Sequence, residues 1–178
     1  MHTRLFIVSV ALWAGIASAQ TPKRNTSTPG GRNPSLGLGI ILGEPTGFTG
    51  KVWMDNNRAI DFGVAYSFGD YVLIYADYLF QWPGAFRLKS GEKFFEQLVP
   101  YVGVGAAAII ATSGPAVTRT YWGTRSASVG AGVRIPLGIE WLPGDPPLGV
   151  FLELAPGIGF IPLTYVFFQG GIGARYYF

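Results

Sequence analysis

The sequence predicts an all-β fold: an eight-stranded up-and-down antiparallel barrel that spans a membrane. Three observations lead there. From Leu36 onward, side chains alternate with period two between an aliphatic or aromatic face and a face of glycine, small residues and charges. Hydrophobic residues make up 49% of the chain and charged residues 13%, against roughly 25% charged in soluble domains. A sheet with so little charge cannot solvate its second face in water. That face suits a narrow, filled interior, and the aliphatic face suits lipid, where a closed barrel satisfies every backbone hydrogen bond. The last eight residues carry Ile172, Ala174, Tyr176 and Phe178 on one face and Gly171, Gly173, Arg175 and Tyr177 on the other. A chain ending on a bare aromatic fits a membrane interface better than water.

At the N-terminus, Arg4, an apolar run from Leu5 to Ala17, and Ala17-Ser18-Ala19 before Gln20 read as a cleaved signal peptide over 1–19. The run is too short to span a bilayer comfortably. Residues 20–35 lack periodicity and are rich in Pro, Gly, Ser, Thr and Asn, which reads as a disordered linker. Residues 36–178 form the barrel. Losing Arg4 takes the formal charge from +3 to +2, no signature of nucleic-acid binding.

The strands follow in order. Leu36, Leu38, Ile40 and Leu42 share the outer face of the first, and 44–47 turn. Phe48, Gly50, Val52 and Met54 oppose Thr49, Lys51 and Trp53, and Asp55-Asn56-Asn57 turn. Ile60 to Phe68 and Val72 to Phe80 alternate likewise, with Asp61 and Asp77 on the inner face and a tight turn at 69–70. Residues 81–97 form a mixed-charge loop with room for one helical turn. Leu98–Ala111 is a strand, because Pro100, Gly103 and Gly105 disfavour a helix. Residues 112–125 form a polar loop. Ser126–Leu142 is the longest strand, with Arg134, Pro136 and Glu140 inward and a bulge or break expected at Pro136, which cannot donate to the ladder. Residues 143–147 turn, Val150, Leu152 and Leu154 oppose Glu153, 156–162 loop, and Thr164–Phe178 closes the set.

Strand parity places Lys51, Asp61, Asp77, Arg134, Glu140, Glu153 and Arg175 inside, as an internal ion-pair network. Three-residue turns at 55–57 and 68–70 set Lys51 opposite Asp61 and Asp61 opposite Asp77. The expectation is a Lys51–Asp61 ion pair within about 4 Å. Trp53 (inward by parity), Tyr78, Phe80, Trp82 and Trp141 gather near strand ends at one side, together with Tyr176 and Phe178, as an aromatic girdle.

The stretches Val133-Arg134-Ile135-Pro136-Leu137-Gly138, Val150 to Pro156 and Gly170 to Phe178 resemble the small eight-stranded bacterial outer-membrane β-barrels of unknown function, with a general likeness to the outer-membrane protein A, X and W type barrels. Gly173, Tyr176 and the terminal Phe178 match the C-terminal signal that the barrel-assembly machinery reads in that group. The resemblance implies a monomer in the outer membrane of a Gram-negative bacterium, both termini periplasmic. Connections 55–57, 81–97 and 143–147 are then periplasmic, and 44–47, 69–70, 112–125 and 157–163 outward. The length of 81–97 runs against the rule that outer loops are the long ones.

Chemistry is scarce. The chain has no cysteine, and its single histidine, His2, leaves with the signal peptide, so neither a metal, a cofactor nor a nucleophilic triad is expected. Enzymes of the resembled group pair a histidine with Ser, Asp or Glu; a Ser67 or Ser126 dyad with Lys51 has no support in the spacing. The glycine pairs Gly37/Gly39, Gly103/Gly105, Gly130/Gly132 and Gly171/Gly173 precede no helical pattern, so they cradle no phosphate. The reading is a non-enzymatic membrane barrel with a structural or surface-interaction role. Two alternatives stay open: a narrow, porin-like channel or carrier for small or apolar solutes, and a soluble secreted barrel that binds a lipophilic ligand.

Overall fold

The computed structural model describes residues 36–67, 71–86, 93–111, 116–120, 123–127, 129–161 and 164–178, with backbone alone over 111–127. The expected signal peptide, the linker and the tight turn at 69–70 lie outside the described residues.

Strands β1 (Leu36–Glu44), β2 (Thr46–Trp53), β3 (Arg58–Ser67) and β4 (Tyr71–Gln81) form an antiparallel meander. A helical turn α1 (Lys93–Glu96) precedes β5 (Leu98–Ala111), which pairs with β4. Then come a separate hairpin of β6 (Ala116–Thr120) and β7 (Gly123–Ala127), and β8 (Val129–Arg134), β9 (Leu137–Trp141), β10 (Leu148–Ile161) and β11 (Tyr165–Tyr177). β8 and β9 are two halves of one wall strand, each pairing with β5 on one side and β10 on the other. β11 pairs with both β10 and β1, closing a ring of eight wall strands. One end, the terminal end, carries Leu36 and Phe178, joined by Phe178 N–H donating to the Leu36 carbonyl at 3.0 Å. The opposite end is called distal.

Facing follows the alternation. Phe62, Val133, Leu152 and Phe168 are 39%, 41%, 54% and 51% exposed, while their chain neighbours on the other face are buried, or half-buried at Gly132 and Phe167. The apolar face therefore looks out of the barrel, the reverse of a water-soluble one. Exposed aromatics crown both ends: Phe80, Trp82, Tyr176 and Phe178 at the terminal end, and Phe48, Tyr66, Phe160 and Phe168 at the distal end. Phe168 and Phe178 are ten steps apart on one strand, about 33 Å at roughly 3.3 Å per residue, which a strand tilt of about 40° shortens to about 25 Å. That is the height of a bilayer's apolar band.

The structure corrects three boundaries and shows the break expected at Pro136. The 44–47 turn shrinks to Pro45, with Thr46 Oγ1 hydrogen-bonded to Gly43 N and O at 3.1 and 2.9 Å. The 112–125 loop contains the β6–β7 hairpin. The 157–163 loop is mostly strand, since β10 runs through Pro156 to Ile161: Pro156 still accepts from Ile135 N at 2.9 Å, and only its own donation is lost. The long strand over 126–142 divides at Ile135-Pro136, yet register is continuous across the gap: Arg134 and Leu137 face Gly105 and Val102 on one side, Gly157 and Leu154 on the other. Missing donors make this break, not an inserted residue.

The interior has three tiers. Tyr71, Leu73, Tyr75, Ala107 and Ile109, with Phe167 beside them, fill the distal third. Ala59, Leu79 and Tyr101 pack with Trp53 near the terminal end. Between and around them lies a layer of buried charge.

Candidate functional site: the buried charge layer

All seven inward charges named from parity are buried: Lys51, Asp61 and Glu140 fully, Asp77, Arg134, Glu153 and Arg175 to within a few per cent. They come from six of the eight wall strands, Arg134 and Glu140 from the two halves of one, so the layer spans the lumen. Lys51 Nζ is paired with Glu140 and donates to Gln81 Oε1 at 2.8 Å. Arg175 pairs with Asp61 at 2.7 Å, donates to Thr49 Oγ1 at 2.7 Å, and lies 3.8 Å from Glu140. Arg134 pairs with Glu153, donates to Gln169 Oε1 at 2.8 Å, and sits 3.2 Å from Asp77. Tyr101 and Tyr177 hydroxyls donate to Glu153 and Glu140. Rings back the cations: Lys51 Nζ lies 4.5 Å from the Trp53 ring centre, Arg134 4.3 Å from Tyr75 and Arg175 3.8 Å from Phe151.

The expected Lys51–Asp61 pair is absent from the ion pairs of the described residues. The registers behind it hold, with Lys51 opposite Asp61 and Asp61 opposite Asp77. The partners differ because glycine lies between chemically matched residues two strands apart. Asp77, Gly105 and Arg134 occupy one row across three strands. So do Arg175, Gly39 and Thr49, and Tyr101, Gly138 and Glu153. An inward glycine leaves no side chain in the way, so long side chains meet over it. Lys51, laid along Trp53, likewise reaches across the lumen to Glu140 while Arg175 takes Asp61. At Gly105 an added Cβ would collide with Asp77 Oδ1 and the Ala76 carbonyl.

A second glycine pattern tiles the wall. Gly37 faces Tyr177, Gly63 faces Tyr75, Gly138 faces Tyr101, and Gly173 faces Phe151. In each pair the ring lies where the glycine's Cβ would be, covering backbone that would otherwise be bare.

Sequence parity missed Thr49, Gln81, Gln169, Tyr101 and Tyr177 as members of the layer. All five are inward by the same alternation that located the charges. Asp77 is the least secured acid: Arg134 Nε is its one ion-pair partner among the described residues, and neither carboxylate oxygen accepts a hydrogen bond. A small pocket, about 10 Å³, lies between this layer and the distal mouth, lined by Ile41, Glu44, Leu73, Tyr75, Arg134 and Glu153 among others.

The remaining named residues fall outside the layer. Gly173 is buried beneath Phe151, while Tyr176 and Phe178 point outward with rings 5.0 Å apart. Tyr78 and Phe80 make the same edge contact at 5.1 Å. Trp82 is exposed and Trp141 half-buried against Phe94. Trp53 stands apart from this outer set, because its ring lies inside under Lys51. Among the described residues, no three His, Cys, Asp or Glu side chains converge as a metal site.

No protein-family model matches the chain, and no curated protein sequence does. The chain is similar in fold to the N-terminal β-barrel domain of Pseudomonas aeruginosa OprF, with a TM-score of 0.55 and 14% identity, over 82% of this chain and 98% of that one.

Proposed function

From this fold we propose that the chain is an integral outer-membrane β-barrel with a structural or surface-interaction role and no catalysis. The observation that carries the reading is the inversion of the barrel: an exposed apolar wall crowned by aromatics at both ends, around a lumen packed with paired charge. In water that wall would aggregate; in lipid it is solvated, and seven charges are drawn to its inner side. The signal peptide at 1–19 would deliver the chain across the inner membrane, and Gly173, Tyr176 and Phe178 would present the last strand to the assembly machinery. The paired layer fills the lumen, which favours a scaffold over a conduit, with the distal loops as the contacting surface.

Fractionation of whole cells followed by a gel of boiled and unboiled samples tests this. The expected result is recovery with the outer membrane and a mobility shift on boiling. Recovery as a soluble protein without that shift would favour the lipophilic-ligand barrel. Steady conductance in planar bilayers would favour the channel.

A further inference from the structure

The connection between β4 and β5 is the long one at the terminal end, and its described parts show where it goes. After inward Gln81, Trp82 continues the outward face of β4 and is 48% exposed. At the far end of the connection, Phe94 of α1 stacks against Trp141, ring centres 6.0 Å apart. Trp141 follows buried, inward Glu140 on β9, so its ring is on the outside of the wall. The returning chain is fastened there by three hydrogen bonds: Trp141 Nε1 to Gln97 Oε1 at 3.0 Å, Gln97 Nε2 to the Pro143 carbonyl at 3.2 Å, and Leu142 N to the Gln97 carbonyl at 2.9 Å. The described end of the segment, 93–97, thus docks on the flank of the barrel. It still leaves Phe94 54% exposed and Phe86 39% exposed, with Lys93 exposed beside Phe94. These apolar rings lie at the same end as Phe80, Tyr176 and Phe178 and extend that aromatic crown sideways.

We propose that α1 is a foot that rests in the phospholipid interface of the leaflet at the terminal end, with Phe94 inserted among the upper acyl carbons and Lys93 at the phosphate level. Rings at this depth keep an apolar body in lipid, and a lysine stem lets its ammonium reach the headgroups. The occupant is lipid because the exposed rings are continuous with the apolar wall. The inference rests on the membrane reading above and accounts for a long connection at the end where short ones are the rule.

The chain has no cysteine, so single cysteines can carry a nitroxide label in phosphatidylethanolamine–phosphatidylglycerol vesicles. Phe94→Cys, Leu152→Cys on the wall and Asn56→Cys in the 54–57 turn are compared for collision with oxygen, which concentrates in lipid, and with a water-soluble nickel chelate. The expected order of nickel collision is 56 highest, 94 several-fold lower, 152 lowest, with oxygen in reverse. A label at 94 as open to nickel as that at 56, while 152 stays in lipid, overturns the foot and leaves the membrane reading standing. A label at 152 open to nickel overturns both. If Phe94→Cys does not fold, Lys93→Cys carries the label at the same site, where headgroup-depth collision supports the foot and full nickel access overturns it.

Discussion

Replacing Lys51 with methionine should destabilise the barrel far more than a surface change, and the rescue pattern should name its partner. Lys51 is fully buried, pairs with Glu140 and donates to Gln81. Removing the ammonium strands a buried carboxylate, an effect of about 3–5 kcal/mol. Tyr177 still donates to Glu140 and Arg175 lies 3.8 Å away, which argues for the low end, about 3 kcal/mol. Gln81 Oε1 loses its donor as well, adding about 1 kcal/mol. The total, about 4 kcal/mol, corresponds to roughly a thousandfold change in the folding equilibrium. Adding Glu140→Leu removes the stranded charge and should recover about half, the remainder reflecting Tyr177 and Arg175 left without their acceptor. Adding Asp61→Leu instead should recover nothing, because it unpairs Arg175. Urea titration in detergent micelles, read by mobility of unboiled samples, measures all four proteins. A Lys51→Met protein as stable as wild type, or better rescue by Asp61→Leu than by Glu140→Leu, would refute the assignment of partners.

Gly105→Ala should lower stability by about 2 kcal/mol through overpacking, since its Cβ would collide with Asp77 and the Ala76 carbonyl; the same urea titration reads it, against outward Ala106→Val as a near-neutral control. Leu152→Arg places a charge on the outer wall and should lower stability in lipid by about 2–4 kcal/mol; an unchanged midpoint in vesicles would count against burial in a bilayer. Deleting Phe178 should reduce folded protein in cells far more than Phe48→Ala, because Phe178 also ties the last strand to Leu36, whereas Phe48 is merely exposed wall; equal yields would remove the C-terminal residue from assembly.

Alternation alone carried the fold and the facing of each charged residue, because a strand offers two faces and lipid tolerates charge on neither the wall nor its middle. Turn lengths carried the Lys51–Asp61 and Asp61–Asp77 registers. What they could not carry was who meets whom inside. Direct cross-strand neighbours follow from register, but contacts across a lumen depend on which intervening positions are empty, and at Gly105, Gly39 and Gly138 a glycine redirects the pairing two strands away. Pro156 misled for a related reason: proline marks a loop in water-exposed segments, whereas here its carbonyl is still used and its ring stays on the wall. The β6–β7 hairpin was hidden by a polar segment without an alternating apolar face.

The pairing of β1 with β11 has a kinetic consequence. Gly37 meets Tyr177 and Glu44 meets Gly170, so the seam that closes the ring joins the first described strand to the last. Contacts between such distant segments form late, since the intervening chain must first be brought into order. Until then β1 and β11 are open edges able to template pairing with other chains. A partly paired chain has no smaller closed ring to fall back on, so both edges stay open until the final segment arrives.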